Sequence, residues 1–193
     1  MADNTPTVAD PGPLGLAGFA TTTFVLSVFN AGILDAKLTA VVLPFALFYG
    51  GIAQLLAGMW EFKRNNVFGA AAFSSYGAFW LAFDAYVKYI AGGLPASDAN
   101  KATGLFLLAW TVVTVIFLIS SFGTNGVLAT LFVFLTATFI LLTWGAFALS
   151  SGLDKVGGYL GIITAIIAWY AVLAGVGNAT FGKTVFPTFA FKK

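Results

Sequence analysis

Apolar runs long enough to cross a bilayer recur six times in this chain, and that recurrence constrains its fold more than any other feature. A hydrocarbon core about 30 Å thick takes about 20 predominantly apolar residues of helix. Six stretches meet that length, at 14–31, 38–59, 68–90, 103–122, 127–149 and 157–177. In lipid every backbone N–H and C=O must find a partner within the protein, so such runs fold as helices. Composition agrees: 8% of the 193 residues are charged and 60% are hydrophobic, against roughly 25% charged in a soluble domain. A water-soluble fold built this way would lack the polar groups to cover its surface. The expectation is an all-α integral membrane protein with six transmembrane helices. No linker is long enough to divide it, so residues 1–193 read as a single six-helix domain, with a polar N-terminal tail at 1–10 and a C-terminal tail at 178–193.

The breaks between runs carry turn residues and charge. They hold Gly32 and Asp35, then Lys63-Arg64-Asn65-Asn66, Gly92-Gly93 with Pro95, Gly123 to Gly126, and Ser150 to Lys155. An even number of helices puts both termini on one side. Lys63, Arg64, Lys183, Lys192 and Lys193 fall on that side, and Lys37, Lys88, Lys101 and Lys155 on the other. Orientation follows the Lys/Arg bias, and the adjacent pair Lys63 and Arg64 places the termini in the cytoplasm. The first ten residues lack the basic start and apolar core of a signal peptide, and a prokaryotic inner membrane is the expected location. Asn178-Ala179-Thr180 has the form of a glycosylation sequon, but on this orientation it faces the cytoplasm and reads as chance.

Several function classes fall away on residue type. Cysteine and histidine are both absent. That excludes disulfides, a thiolate nucleophile, a conventional triad and the HExxH zinc site. No two acids are paired at helical spacing. No enzyme chemistry, metal site or cofactor is expected. The net charge of +2 comes from scattered lysines, too diffuse a pattern for nucleic acid.

Polar residues inside the apolar runs mark what the helices enclose. Phe19, Thr23, Ser27 and Asn30 share one face of the first run, with Thr22 beside it; Gly50, Gln54, Ala57 and Glu61 share a face of the second, and Tyr76, Trp80 and Asp84 align on the third. Such groups turn inward because lipid leaves them unpartnered. Two readings compete. Thr and Ser can bond their own helix carbonyls and Gln54 can bind two helices together, or the groups can line a path for a small polar solute. The second is favoured for Gln54 and Tyr76. Asp84 precedes Lys88 by one turn, so an interfacial pair is expected rather than a proton relay. Gly157, Gly161 and Ala165 form a small-residue stripe of the kind that lets helices approach closely.

Four blocks together resemble one family. Asp10-Pro11-Gly12-Pro13-Leu14-Gly15-Leu16-Ala17-Gly18-Phe19 is similar to the signature of the acetate uptake transporter family, the succinate–acetate/proton symporters, which opens Asn-Pro-Ala-Pro-Leu-Gly-Leu. Phe48 to Gln54 through Glu61, Phe73 to Trp80, and Phe181 to Pro187 resemble further blocks of it in the same order. The resemblance implies a six-helix homohexamer with one path per protomer, carrying acetate first and succinate as a further candidate, with a proton or as the neutral acid. It implies an apolar waist at Phe19, Tyr76 and Leu135. Thr22, Gln54, Ser75 and Trp80 complete the substrate-binding candidates. The partners expected are therefore the monocarboxylate and protons, the bilayer, and further copies of the chain.

Asp10 and Gly12 depart from the family's asparagine and alanine. Position 10 reads as the N-cap of a helix opened by prolines, where an ionised Asp10 would compete with a substrate carboxylate for the free N–H groups. A passive channel for small neutral or anionic solutes, of the urea and amide type, is the alternative function. A sensor or assembly factor using the helices as scaffold is a third class.

Overall fold

The computed structural model describes residues 8–191, apart from the side chains at 96 and 97. Lys192 and Lys193, counted in the charge comparison, lie outside the described residues. The six runs form six helices. The first is Gly12–Asn30, and the second is a continuous but irregular span over Ala36–Lys63. The third runs Val67–Ala85 and continues as a π turn over Tyr86–Ile90. The fourth, fifth and sixth are Ala96–Ser121, Gly126–Ala148 and Ser151–Phe181. By length and apolar character five of these qualify as membrane spans. The third falls outside that set because Ser74, Ser75, Tyr76 and Asp84 dilute it. Most of its polarity is turned inward.

Local chemistry explains the ends. Asn66, Asn125 and Ser150 each accept a backbone N–H two to three residues into the following helix, from Gly69, Leu128 and Leu153, which satisfies donors that helix geometry leaves free. The sixth helix stops at Gly182, whose φ of +64° is cheap only for glycine. At the first helix the N-cap is Pro11 rather than Asp10. The Asp10 carboxylate still caps from one position earlier, with Oδ1 accepting the Gly12 N–H at 2.9 Å.

The second helix is wound unevenly. A 3-10 segment at Ala36–Val41 leads through Val42–Pro44 into a π segment at Phe45–Ala53, and only Gln54–Lys63 is regular α. Pro44 has no N–H and so interrupts the ladder. Thr22 answers the disruption from the neighbouring helix: its hydroxyl lies 2.8 Å from Gly18 O and 3.3 Å from Phe45 O.

The first and sixth helices pack closely. A Cβ at Gly158 would overlap the Asn30–Ala31 backbone, and one at Gly161 would overlap Ser27. Gly157, read with Gly161 as one stripe, instead meets Leu142 of the fifth helix. Beyond the sixth helix the chain turns back over the bundle end. Asn178 accepts the N–H groups of Val185 and Phe186 and donates to Phe186 O, and Gly126 N–H reaches Phe189 O.

The expected Asp84–Lys88 pair does not form. Asp84 is 7% exposed, while the Lys88 ammonium sits 5.6 Å from the Tyr89 ring centroid. The carboxylate is held inside the bundle while the lysine turns to an exposed ring, so the two side chains part.

Candidate functional site

Two cavities lie within the bundle, of about 430 and 340 Å³. Their walls have three residues in common: Phe19, Tyr76 and Leu135. All three are buried, at 5%, 3% and 3% exposure. The Phe19 and Tyr76 ring centroids are 5.7 Å apart at an interplanar angle of 57°. First, third and fifth helices thus each send one bulky side chain to the partition between the cavities. Phe117 and Phe132 back the Tyr76 ring at 5.7 and 6.3 Å, so the partition stands in a larger aromatic cluster.

The cavity nearer the termini is charged at its mouth and apolar toward the partition. Arg64 Nη1 lies 2.6 Å from Asp10 Oδ1 and 3.7 Å from Glu61 Oε2. One cation therefore faces two carboxylates, and the Asp10 oxygen that it meets is the one already capping the first helix. Glu61 is 2% exposed and Gln54 1%. Glu61 Oε2 and Gln54 Oε1 have no hydrogen-bond partner among the described residues. Deeper in, Phe68, Leu131 and Phe132 form the wall.

The second cavity shows the face read from the first helix: Phe19, Thr23, Ser27 and Asn30 all border it. Trp80, Phe79 and Phe139 line its inner part, and Tyr86, Asn100 and Asp154 its outer part. Thr23 Oγ1 and Trp80 Nε1 are buried without partners. Both can donate a hydrogen bond, and both residues border this cavity.

The substrate-binding candidates separate. Gln54 borders the first cavity and Trp80 the second. Thr22 is fully buried and occupied with the carbonyls of Gly18 and Phe45, and it borders neither cavity. Ser75 borders neither as well. Asp84, aligned by spacing with Tyr76 and Trp80, is also off both walls.

Two features escape the sequence reading. Arg64 was legible only as a loop charge, and its place at the cavity mouth comes from the turn that folds the third helix back beside the second. The Tyr76 hydroxyl, which sequence suggests could guide a solute, donates instead to Thr114 Oγ1 at 2.9 Å. Thr114 lies on the fourth helix, and no spacing rule relates positions on separate helices.

Similarity to known proteins matches this architecture. A profile described as the GPR1/FUN34/yaaH family covers residues 2–193. Two Saccharomyces cerevisiae proteins, accumulation of dyads protein 2 and ammonia transport outward protein 2, are 45% and 43% identical over 176 residues, 88% of this chain. The chain spans only 62% of the length of each. The succinate-acetate/proton symporter SatP of Escherichia coli is 37% identical over 180 residues, covering 93% of this chain and 95% of that protein. Among solved structures, that of the bacterial acetate channel SatP superposes with a TM-score of 0.88 at 37% identity, covering 94% of this chain and 99% of the other. With a six-helix fold, a two-cavity interior and a family profile that spans nearly its whole length, the chain belongs to the GPR1/FUN34/yaaH family.

Proposed function

We propose that this chain carries acetate, or a similar small monocarboxylate, across the membrane through the two cavities, with Phe19, Tyr76 and Leu135 as the gate between them. The observation that carries the reading is that these three residues alone are common to both cavity walls. A narrow apolar ring passes a solute only when the solute sheds water. Stripping water from a carboxylate costs far more than from the neutral acid, so the ring favours acetic acid, or acetate paired with a proton. The solute then carries its own proton, and no histidine relay is needed. Gln54 on one side and Thr23 and Trp80 on the other are polar residues bordering the two cavities. Succinate is the larger solute against which the aperture is tuned. The functional unit is a homohexamer with one path in each protomer, residues 1–193 forming one membrane domain, both termini cytoplasmic.

A second reading, a passive channel for small neutral or anionic solutes, is favoured by the yeast relative named for ammonia transport. Purified protein in liposomes separates the two. An imposed pH gradient without a membrane potential should make the protein speed labelled acetate toward the level set by acetic acid partitioning. Flux that follows an imposed membrane potential instead supports a passive channel for the anion, and absence of protein-dependent flux overturns both.

A further inference from the structure

Tyr76 holds its place in the gate through a residue that touches neither cavity. Its hydroxyl donates to Thr114 Oγ1 at 2.9 Å, and Thr114 donates in turn to Trp110 O, one turn back on its own helix, at 2.7 Å. Each hydroxyl has one proton. The Thr114 proton is committed to the carbonyl, so its oxygen faces Tyr76 as an acceptor, and the Tyr76 proton is committed to the wall. Thr114 is fully buried and borders neither cavity. The phenol group therefore points out of the path, and the ring is what the gate presents.

The third and fourth helices meet largely through aromatic side chains, and the neighbours of the Tyr76 ring are aromatic too. Phe19, Phe117, Phe132 and Trp110 have ring centroids 5.7–6.4 Å from it. None of the three phenylalanines can accept a hydrogen bond from the phenol in the conventional sense. Without the Thr114 oxygen, the hydroxyl would be buried with no partner in that shell. A buried unmade hydrogen bond is costly, and rotation of the ring toward a polar cavity relieves it. We infer that Thr114 is a positioning residue for selectivity: by taking the Tyr76 hydroxyl into the wall, it sets the gate's aperture and keeps it apolar. This rests on the reading of the gate given above.

The test uses Thr114→Val, Tyr76→Phe and the double variant, each in liposomes, with the succinate-to-acetate flux ratio as readout. Tyr76→Phe removes the same hydrogen bond from the other side while keeping the ring, so it is the reference for the double variant. Thr114→Val should shift the ratio about fivefold or more, the scale of an orphaned buried hydroxyl. The double variant should match the ratio of Tyr76→Phe, because no phenol remains to be orphaned. A merely structural role would lower thermal stability in Thr114→Val without moving the ratio, and that result overturns the inference. So does a double variant whose ratio departs from that of Tyr76→Phe, which would show Thr114 acting without the phenol. If Thr114→Val does not assemble, Thr114→Ser, which keeps the oxygen, must match the parent while Thr114→Ala shifts the ratio. An experimental structure of Thr114→Val tests the idea independently of any solute. A Tyr76 ring left in place sinks it, whereas loss of acetate flux in the parent protein would sink only the proposed function.

Discussion

Truncating Leu135 to alanine probes the gate most directly. Leu135 is 3% exposed and borders both cavities. The change removes three carbons, about 2.4 kcal/mol of burial at about 0.8 kcal/mol each. A sealed void would raise the loss within the usual range of about 2–5 kcal/mol. Here the vacated space opens onto cavities of about 430 and 340 Å³, so the loss of stability should stay near the low end, about 2 kcal/mol. The effect on passage is different in kind. A carboxylate crossing a dry ring gives up hydration worth several kcal/mol. The space of three carbons admits roughly two waters at about 30 Å³ each. If each restores about 1 kcal/mol of hydrogen bonding, the barrier falls by about 2 kcal/mol, or about thirtyfold in rate. Flux of labelled succinate should therefore rise by up to about thirtyfold over the parent protein, with a modest drop in melting temperature. An unchanged substrate range beside a lower melting temperature would refute the reasoning and leave Leu135 as an ordinary packing residue.

Gln54→Ala should weaken acetate uptake while the oligomer in detergent stays intact; loss of the oligomer in proportion to uptake would make Gln54 helix glue. Asp84→Asn should keep acetate uptake with an unchanged pH profile, since Asp84 borders neither cavity, and an abolished pH dependence would make it the coupling acid. Asp10→Asn should release Arg64 for an incoming anion. The exposed pair is worth at most about 1 kcal/mol, so the half-saturating acetate concentration should fall no more than about fivefold at low salt, and the gain should vanish in an Arg64→Gln background. A gain that persists there would show that Arg64 is not the group released.

The six helices were legible because apolar runs and capping residues are local signals. Their lengths were less so. The fourth helix begins at Ala96 and the sixth continues to Phe181, beyond the apolar runs at 103–122 and 157–177. Hydropathy measures what lipid must cover, whereas helix hydrogen bonding continues past it into polar residues such as Asp98 and Lys101. The winding of the second helix was not legible, since a 3.6-residue count assumes α geometry and Pro44 breaks it. Spacing likewise suggested the Asp84–Lys88 pair without showing that Asp84 is buried. Faces predicted within regular helix did better: Thr23, Ser27 and Asn30 all reach one cavity wall. What sequence cannot supply is the partner across a helix gap. Tyr76 with Thr114, and Arg64 with Asp10, are 38 and 54 residues apart.

Polarity within a span is therefore a poor marker of a path, and unmet polarity is a better one. Thr22, Thr111, Thr114, Thr136, Thr138 and Thr164 are all buried, and each hydroxyl donates to the carbonyl four residues back. Those donors are satisfied within their own helix and need no solute. The buried polar atoms without partners among the described residues belong to Thr23, Gln54, Glu61, Arg64, Ser74 and Trp80. All but Ser74 border a cavity. Leaving a buried group unpartnered is unfavourable by about 1–3 kcal/mol, and in a lipid-facing position nothing would relieve it. The unmet groups gather in residues on the two cavity walls, whereas the satisfied threonines run through the bundle, Thr138 alone of these six reaching a wall. Thr22 and Thr23, adjacent and chemically identical, fall on opposite sides of that division.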